Sequence, residues 1–347
     1  MITFAQKILT WYTENKRALP WRSTRDPYSI WLSEIILQQT RIVQGIPYYL
    51  KFMATFPTVY DLAAASEESV LKLWQGLGYY SRARNLHTAA KMVVEKFDGQ
   101  FPQTYEGLLE LNGVGDYTAS AISSICFDVP EPVVDGNVYR VLARYFGIDT
   151  PINSAEGIKY FKTLARKIMD ADEICDYNQG IMEFGAIQCT PKNPNCMYCP
   201  LHDSCVAFQK GKVLSLPVKI NKTKIKHRYF NYLVFSDKSG HTLFRQRKGK
   251  GIWQNLWEFP VIEAKQEIDL KTLILQMDGF SDVEKVNDIL RYNEIPIIHK
   301  LSHQHLHTVF WIVETDEILE GGIVVSELLD YPVPVLIADF LRVWVKS

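Results

Sequence analysis

The chain has 347 residues, and at the roughly 150 residues of an average domain that length calls for about two folded units. Hydrophobic residues make up 47% and charged residues 22%, enough apolar mass for sizeable cores, which excludes a disordered or fibrous chain. The formal net charge of -1 removes a global basic excess as an argument for nucleic-acid binding and leaves that reading to local motifs. No run approaches the ~18 apolar residues of a membrane span, and residues 1–16 mix charges into a helical pattern where a leader would show a basic start and an apolar run. A soluble, intracellular protein with no membrane partner is expected.

From residue 3 to about 205 apolar residues recur at helical spacing, which predicts helices over 3–16, 28–45, 46–55, 66–75, 80–97, 104–111, 116–126, 136–146, 154–170 and 177–187. After Cys205 the texture changes. Residues 209–228 carry Lys210, Lys212, Lys219, Lys222, Lys224, Lys226 and Arg228 with no acid and with Pro217, as a basic linker would. Beyond it, 229–235, 241–247, 297–300 and 308–314 read as strands, with Asp237-Lys238-Ser239-Gly240 as a hairpin turn. The expected organisation is an all-α domain over 1–208, a linker over 209–228 and a smaller α+β domain over 229–347.

Four of the six cysteines crowd together as C-x6-C-x2-C-x5-C, at Cys189, Cys196, Cys199 and Cys205. Four thiolates brought together by one short loop suit a soft metal centre, either tetrahedral zinc or a four-cysteine iron–sulfur cluster. Zinc ribbons usually show two C-x2-C knuckles; the single knuckle here, with unequal arms, tilts the choice toward a cubane cluster. Cys126 and Cys175 stand apart and read as ordinary buried thiols.

Three stretches carry chemistry. Gly113-Val114-Gly115 lies between a helix end and a new helix start, and two glycines there free backbone N–H groups to approach a phosphate; an ordinary turn between packed helices is the plainer alternative. Asp135 immediately precedes an amphipathic helix with apolar residues at 138, 141, 142, 145 and 146, where it serves at least as an N-cap. Glu34 sits on a helix beside Ile30, Trp31, Leu37 and Gln38, neighbours that desolvate a carboxyl and raise its pKa until it can hold a proton near neutral pH. Paired with Asp135, it suggests the two-carboxylate division of labour of glycosidic bond cleavage: one acid for the leaving group, one anion facing a sugar cation.

Six segments in order, Leu19–Arg22, Ser33–Thr40, Gly76–Leu86, Gly113–Thr118, Val134–Asn137 and the four cysteines, resemble the helix–hairpin–helix DNA glycosylases that carry an iron–sulfur cluster, and among them the MutY-type adenine DNA glycosylases. The resemblance implies that Glu34 protonates the adenine leaving group at N7 and that Asp135 stabilises the sugar cation or its adduct, with Tyr117 and Asn137 supporting the site. Relatives that also cut the strand through a Schiff base place a lysine where this chain has Tyr117, which implies a monofunctional enzyme. Trp21, Arg22 and Glu183 match adenine-pocket positions, Gln39 and Tyr79 match residues that wedge into the duplex as the base flips out, and Gly113 and Gly115 would grip the DNA backbone. The cysteines become ligands of a [4Fe-4S] cluster in a loop to which Lys192 adds basic character.

In the second half, Gly251–Pro260 looks like the substrate-side strand of a Nudix fold, but Val261–Glu267 supplies no glutamate-rich magnesium helix. A Nudix-like fold without that helix resembles the MutY-type domain that reads 8-oxoguanine opposite the target adenine. That domain usually presents Phe-Ser-His; Ser302 and His303 match, and Leu301 departs, keeping an apolar plug without aromatic stacking. His303, His305 and His307 alternate and would share one strand face. The resemblance implies a monomeric base excision enzyme, cytoplasmic and nucleoid-associated, acting on double-stranded DNA with an adenine mispaired with 8-oxoguanine or guanine. Two rivals stand beside it: an endonuclease III-like enzyme for oxidised pyrimidines, and a non-catalytic iron–sulfur DNA-binding module.

Overall fold

The computed structural model describes residues 3–220, 224–277, 283 and 285–345. Helical spacing in the first 210 residues resolves into α1 (Phe4–Asn15), a 3-10 turn at Pro20–Ser23, α2 (Pro27–Leu37), α3 (Ile42–Thr55), α4 (Val59–Ala64), α5 (Glu67–Trp74), α6 (Ser81–Phe97), α7 (Tyr105–Leu109), α8 (Asp116–Phe127), α9 (Gly136–Phe146), α10 (Ala155–Ile168), α11 (Ile174–Glu183) and α12 (Val206–Gln209). Side-chain caps start many of them: Thr3 and Gln6 form a capping box, and Asp26, Ser66, Thr104 and Ser154 each accept a first-turn amide. The strands follow as β1 (Lys226–Asp237), β2 (His241–Thr242), β3 (Arg245–Gln246), β4 (Trp257–Glu258), β5 (Val261–Ala264), β6 (Asp288–Arg291), β7 (Ile297–Lys300), β8 (Gln304–Thr315) and β9 (Ile323–Val324), with α13 (Leu270–Met277) and α14 (Val335–Trp344) among and after them.

The chain forms two compact units, residues 1–64 with 85–221, and residues 65–84 with 222–347. In the first, α2 is buried at every position from Tyr28 to Ile36 and packs on α3 and α8, while α11 packs on α1, α8 and α9. An innermost helix that still carries a glutamate is an expensive arrangement unless the carboxyl is neutral or paired. The helix expected over 28–45 ends instead at Leu37, and the next begins at Ile42. Pro47 lies inside α3 and does not break it, because the N–H it lacks would have met the carbonyl of Val43, a residue 86% exposed and open to water. The actual break falls at Gln38–Arg41, where Gln39 takes a left-handed φ of 56°. The short helix α4 went unforeseen.

In the second unit, the sheet order is β5-β1-β8-β6, with β7 pairing β8 beside β6. β1 and β8 run parallel over twelve residue pairs, and the remaining ladders are antiparallel. Leu233, Phe235, Val309, Trp311 and Val313 fill the core beneath α13 with Ile262 and Leu273. β1 takes in Lys226 and Arg228, so the ordered strand starts inside the basic segment; Lys222 lies outside the described residues. Residues 65–84 join this unit through Lys72 Nζ, which reaches the Tyr331 carbonyl at 3.1 Å, and through the Tyr80 hydroxyl, which donates to Val333 O at 3.2 Å.

Three expectations change here. Asp237–Gly240 does turn tightly, with Asp237 Oδ1 accepting from Ser239 N and His241 N, but it makes no hairpin: β2 pairs with the distant β9. The strand expected over 241–247 is split into β2 and β3, and β3 pairs with β4. The first half of Gly251–Pro260 is turn, where Gly251, Trp253 and Asn255 all take positive φ, and only Trp257–Glu258 is strand. The helix that follows, α13, has the sequence LKTLILQM, with no carboxylate to hold magnesium.

Candidate active site

Glu34 lies on buried α2, 8% exposed. Burial pushes its pKa up from 4.5 to about 7; a hydrogen bond with Tyr117 and the Arg22 charge pull it down, and the Asp135 carboxylate pushes it further up. Tyr117, on the first turn of α8, also donates to Met182 Sδ at 3.2 Å. One phenolic proton cannot serve both partners at once, so while Tyr117 faces the sulfur, a protonated Glu34 is the better partner for its oxygen.

Asp135 caps α9. Its Oδ1 accepts from Asn137 N at 2.9 Å and Val138 N at 2.8 Å, and its Oδ2 accepts from Asn137 Nδ2 at 2.8 Å. Burial raises its pKa, and these three donors with the Arg140 charge oppose the rise, so the two carboxyls sit in different surroundings. Asn137 is itself held by Arg140 Nη2 at 2.9 Å, and Arg140 continues to Gly185 O at 2.6 Å and Cys189 O at 2.8 Å. A Cβ on Gly185 would come within 2.7 Å of Asn137 Cβ, so only glycine lets the π-helical turn at Phe184–Gln188 pass this close.

Glu183, expected in the adenine pocket, is 2% exposed and engaged by two guanidinium groups. Arg17 Nε and Nη2 donate to it at 2.6 and 2.7 Å, and Arg22 Nη1 and Nη2 at 3.1 and 2.9 Å. Burial alone would raise its pKa; the two arginines override that and hold it at about 2. Trp21 is buried, edge-on to Tyr49 with centroids 5.2 Å apart. Gln39 is exposed at a positive φ.

The hairpin has the expected form. Gly113 takes φ 77°, and a Cβ there would strike Asn85 Cβ at 2.7 Å. Gly115 is the N-cap of α8 in an extended conformation that any residue could adopt, with nothing within 4 Å of its would-be Cβ. Neither conformation nor internal packing demands glycine at 115, so the open space beside α8's uncapped amides suits an outside group.

All four cysteines of the loop, Cys189, Cys196, Cys199 and Cys205, wall one cavity with Val141, Phe184, Leu201 and Phe208, and none forms a disulfide. Burial raises Cys196, Cys199 and Cys205, and the neighbouring sulfurs raise them further; Cys199 reaches about 11. Backbone groups at Leu201 hydrogen-bond Cys199, and those at Ala207 and Phe208 hydrogen-bond Cys205. Arg144 Nη1 stands 3.4 Å from Cys189 Sγ and 2.7 Å from Thr190 O. Four thiols on the wall of one cavity, with amide donors and an adjacent cation, are a donor set whose chemistry fits an anionic metal–sulfur group. Among the described residues, no three cysteine, histidine or carboxylate side chains close on a single-ion point. Lys192 is exposed, Cys175 is buried and Cys126 only half-buried.

In the second unit, Leu301, Ser302 and His303 form the turn between β7 and β8, closed by Leu301 N donating to Gln304 O at 2.8 Å. Ser302 and His303 are exposed, Leu301 half-buried. Tyr79 belongs to this unit as well: 50% exposed at φ 48°, it shares a hydroxyl–hydroxyl hydrogen bond with Ser302. His303 stands outside the strand; His305 and His307 lie within β8, and His307 bonds His227 at 2.8 Å and stacks on Tyr229.

Sequence reasoning missed Arg17, Arg140, Arg144, Met182 and Gly185. The available signal was the pair Arg140 and Arg144, one turn apart on the helix that Asp135 starts, opposite a loop of four thiols in need of cations.

Residues 32–182 match the model of the HhH-GPD superfamily base excision DNA repair proteins, and residues 231–343 match that of the NUDIX domain. Adenine DNA glycosylase of Buchnera aphidicola subsp. Baizongia pistaciae is 35% identical over 320 residues, covering 90% of this chain and 86% of its own. Adenine DNA glycosylase of Homo sapiens is 33% identical over 355 residues, with 86% and 65% covered. The solved structure of a thermostable thymine-DNA glycosylase superposes with a TM-score of 0.56 at 32% identity, over 60% of this chain and 95% of that one. Fold and site thus define a base excision DNA repair protein of the helix–hairpin–helix class with a Nudix-like second unit. Within that class, the chain belongs to the adenine DNA glycosylase family.

Proposed function

We propose that this protein hydrolyses the N-glycosidic bond of adenine mispaired with 8-oxoguanine or guanine in double-stranded DNA and leaves the strand uncut. The observation that carries the reading is a pair of carboxyls in unlike surroundings, Glu34 buried on the innermost helix and Asp135, half-buried, braced by three N–H donors. Glu34 donates its proton to the departing base; Asp135 faces the sugar as positive charge develops there. Tyr117 stands where a Schiff-base lysine would, and its phenol has no amine to offer the sugar. Asn137 holds Asp135, Trp21 and Arg22 shape the pocket, and Glu183 orients Arg22. Gly113 and Gly115 take a backbone phosphate, while Gln39 and Tyr79 wedge the duplex.

Cys189, Cys196, Cys199 and Cys205 would hold a [4Fe-4S] cluster, which would tie together the loop they close. Leu301, Ser302 and His303 read the base opposite the adenine. The protein acts as a monomer on nucleoid DNA.

The test is single-turnover base release from duplexes holding adenine opposite 8-oxoguanine, adenine opposite thymine, and thymine opposite guanine, with strand breaks read before and after hot alkali. Breaks confined to the first duplex and appearing only after alkali are expected. Release of thymine would transfer the activity to that of the thymine-DNA glycosylase it resembles, and breaks without alkali would refute the monofunctional assignment.

A further inference from the structure

Asp116 is the first residue of α8, directly after the Gly113–Gly115 hairpin. A carboxylate in a helix's first turn suits the helix dipole, but it is a liability beside amides that are to receive a phosphate. The structure shows where that charge goes. Lys162, on α10, has a side chain only 16% exposed, and its ammonium lies 3.1 Å from Asp116 Oδ1 and 3.2 Å from Oδ2. Its other donors go to Ser120 Oγ at 2.8 Å and Pro132 O at 2.9 Å, which occupies all three N–H groups. The Tyr105 hydroxyl, from α7, donates to Asp116 Oδ1 at 2.6 Å, and its ring lies 5.6 Å from the same ammonium. On the far side Glu131 is 3.9 Å from Lys162 and is itself paired with Arg166 at 2.6 Å.

We infer that Lys162 is a positioning residue for DNA binding: with Tyr105 it draws the Asp116 carboxylate toward α7 and α10 and neutralises it, so that the hairpin can accept a phosphate. The inference rests on the reading of the hairpin as a phosphate grip, and the experiment separates the two. Affinity for a duplex carrying adenine opposite 8-oxoguanine is measured across a salt series for the full-length wild type, Lys162→Met, Asp116→Asn, Asp116→Arg, Tyr105→Phe and the double variants Lys162→Met/Asp116→Asn and Tyr105→Phe/Asp116→Asn.

Lys162→Met leaves Asp116 uncompensated and weakens binding about fivefold at low salt, the scale of one like-charge pair at intermediate dielectric; the deficit shrinks as salt rises. The first double variant returns to within about twofold of wild type, and Asp116→Arg tightens binding. If that double variant binds as poorly as Lys162→Met, or the deficit ignores salt, Lys162 acts only as a brace and the inference is overturned. If Asp116→Arg and Asp116→Asn both leave affinity unchanged, no phosphate lies at the hairpin and the underlying reading fails first. Should Lys162→Met not fold, Tyr105→Phe carries the test: it weakens binding about twofold in the Asp116 background and has no effect beside Asp116→Asn.

Discussion

Replacing Glu34 with glutamine should abolish base release and stabilise the fold at alkaline pH, and both effects come from one number. Burial lifts this carboxyl from 4.5 to about 7. At pH 7.5 a group with that pKa is about one-quarter protonated, against about 0.1% for an ordinary glutamate, so burial multiplies the available acid about 200-fold. The folded-state pKa lies above the unfolded value, so the stability linked to this group is fully present below about pH 4.5 and is lost as pH rises through 7. Glutamine has no proton to lose. The stability advantage of Glu34→Gln over wild type should therefore grow by about 2–3 kcal/mol between pH 5 and pH 8.

The assays are single-turnover adenine release from pH 5.5 to 9 and denaturant melts of both proteins at the two ends. Tyr117→Phe removes a hydrogen bond that lowers the Glu34 pKa and should move the alkaline limb of the rate profile to higher pH. A rate that is flat from pH 6 to 8.5, or a stability gap that does not widen with pH, would refute a buried proton donor at position 34.

Glu183→Gln strips the carboxylate from beneath Arg17 and Arg22 and should cost about 3 kcal/mol in urea unfolding, as expected when one partner of a buried ion pair is removed. Because the folded pKa of Glu183 is depressed to about 2, its contribution is present above about pH 4.5 and fades as pH falls toward 2, so wild type and variant should converge in acid. Metal analysis of the purified protein should find about four iron and four sulfide per chain, reduced in Cys199→Ser; one zinc and no sulfide would replace the cluster with a tetrahedral site. Leu301→Phe adds a ring at the β7–β8 turn and should raise the preference for 8-oxoguanine over guanine opposite adenine about tenfold, the scale of one base–aromatic stack; an unchanged ratio would remove residue 301 from lesion reading.

What the sequence reveals about this site follows from which interactions are local. Glu34 is legible because three of its four neighbours at helical spacing, Ile30, Trp31 and Leu37, are apolar and the helix has no polar face to turn outward, which forces the carboxyl inside. Asp135 is legible as a cap because capping depends only on the next three residues. Arg140 is not. An arginine on an amphipathic helix ordinarily reads as solvated surface, and its partners Gly185 and Cys189 lie 45 and 49 residues away. The same limit governs the second unit. The β-branched, aromatic runs at 229–235 and 308–314 announce strands, but their parallel pairing joins residues nearly 80 apart, and β2 finds its partner only at Ile323–Val324. Turn geometry hides in another way: Trp253 is an apolar aromatic that fits a strand pattern, yet it takes a positive φ because the surrounding turn and its own burial outweigh local preference.

The interactions that sequence periodicity cannot show are also those that tie the candidate chemistry together. Arg140 joins the backbone of the first cysteine of the loop to the asparagine that holds Asp135, and Arg144 holds the same loop from one turn further along α9. A single helix thus presents a capping carboxylate at its start and two loop-binding cations in its body. The cysteine loop is thereby linked to Asp135 through two hydrogen-bonded side chains, Arg140 and Asn137, so a loop that loosens should loosen the capping carboxylate with it.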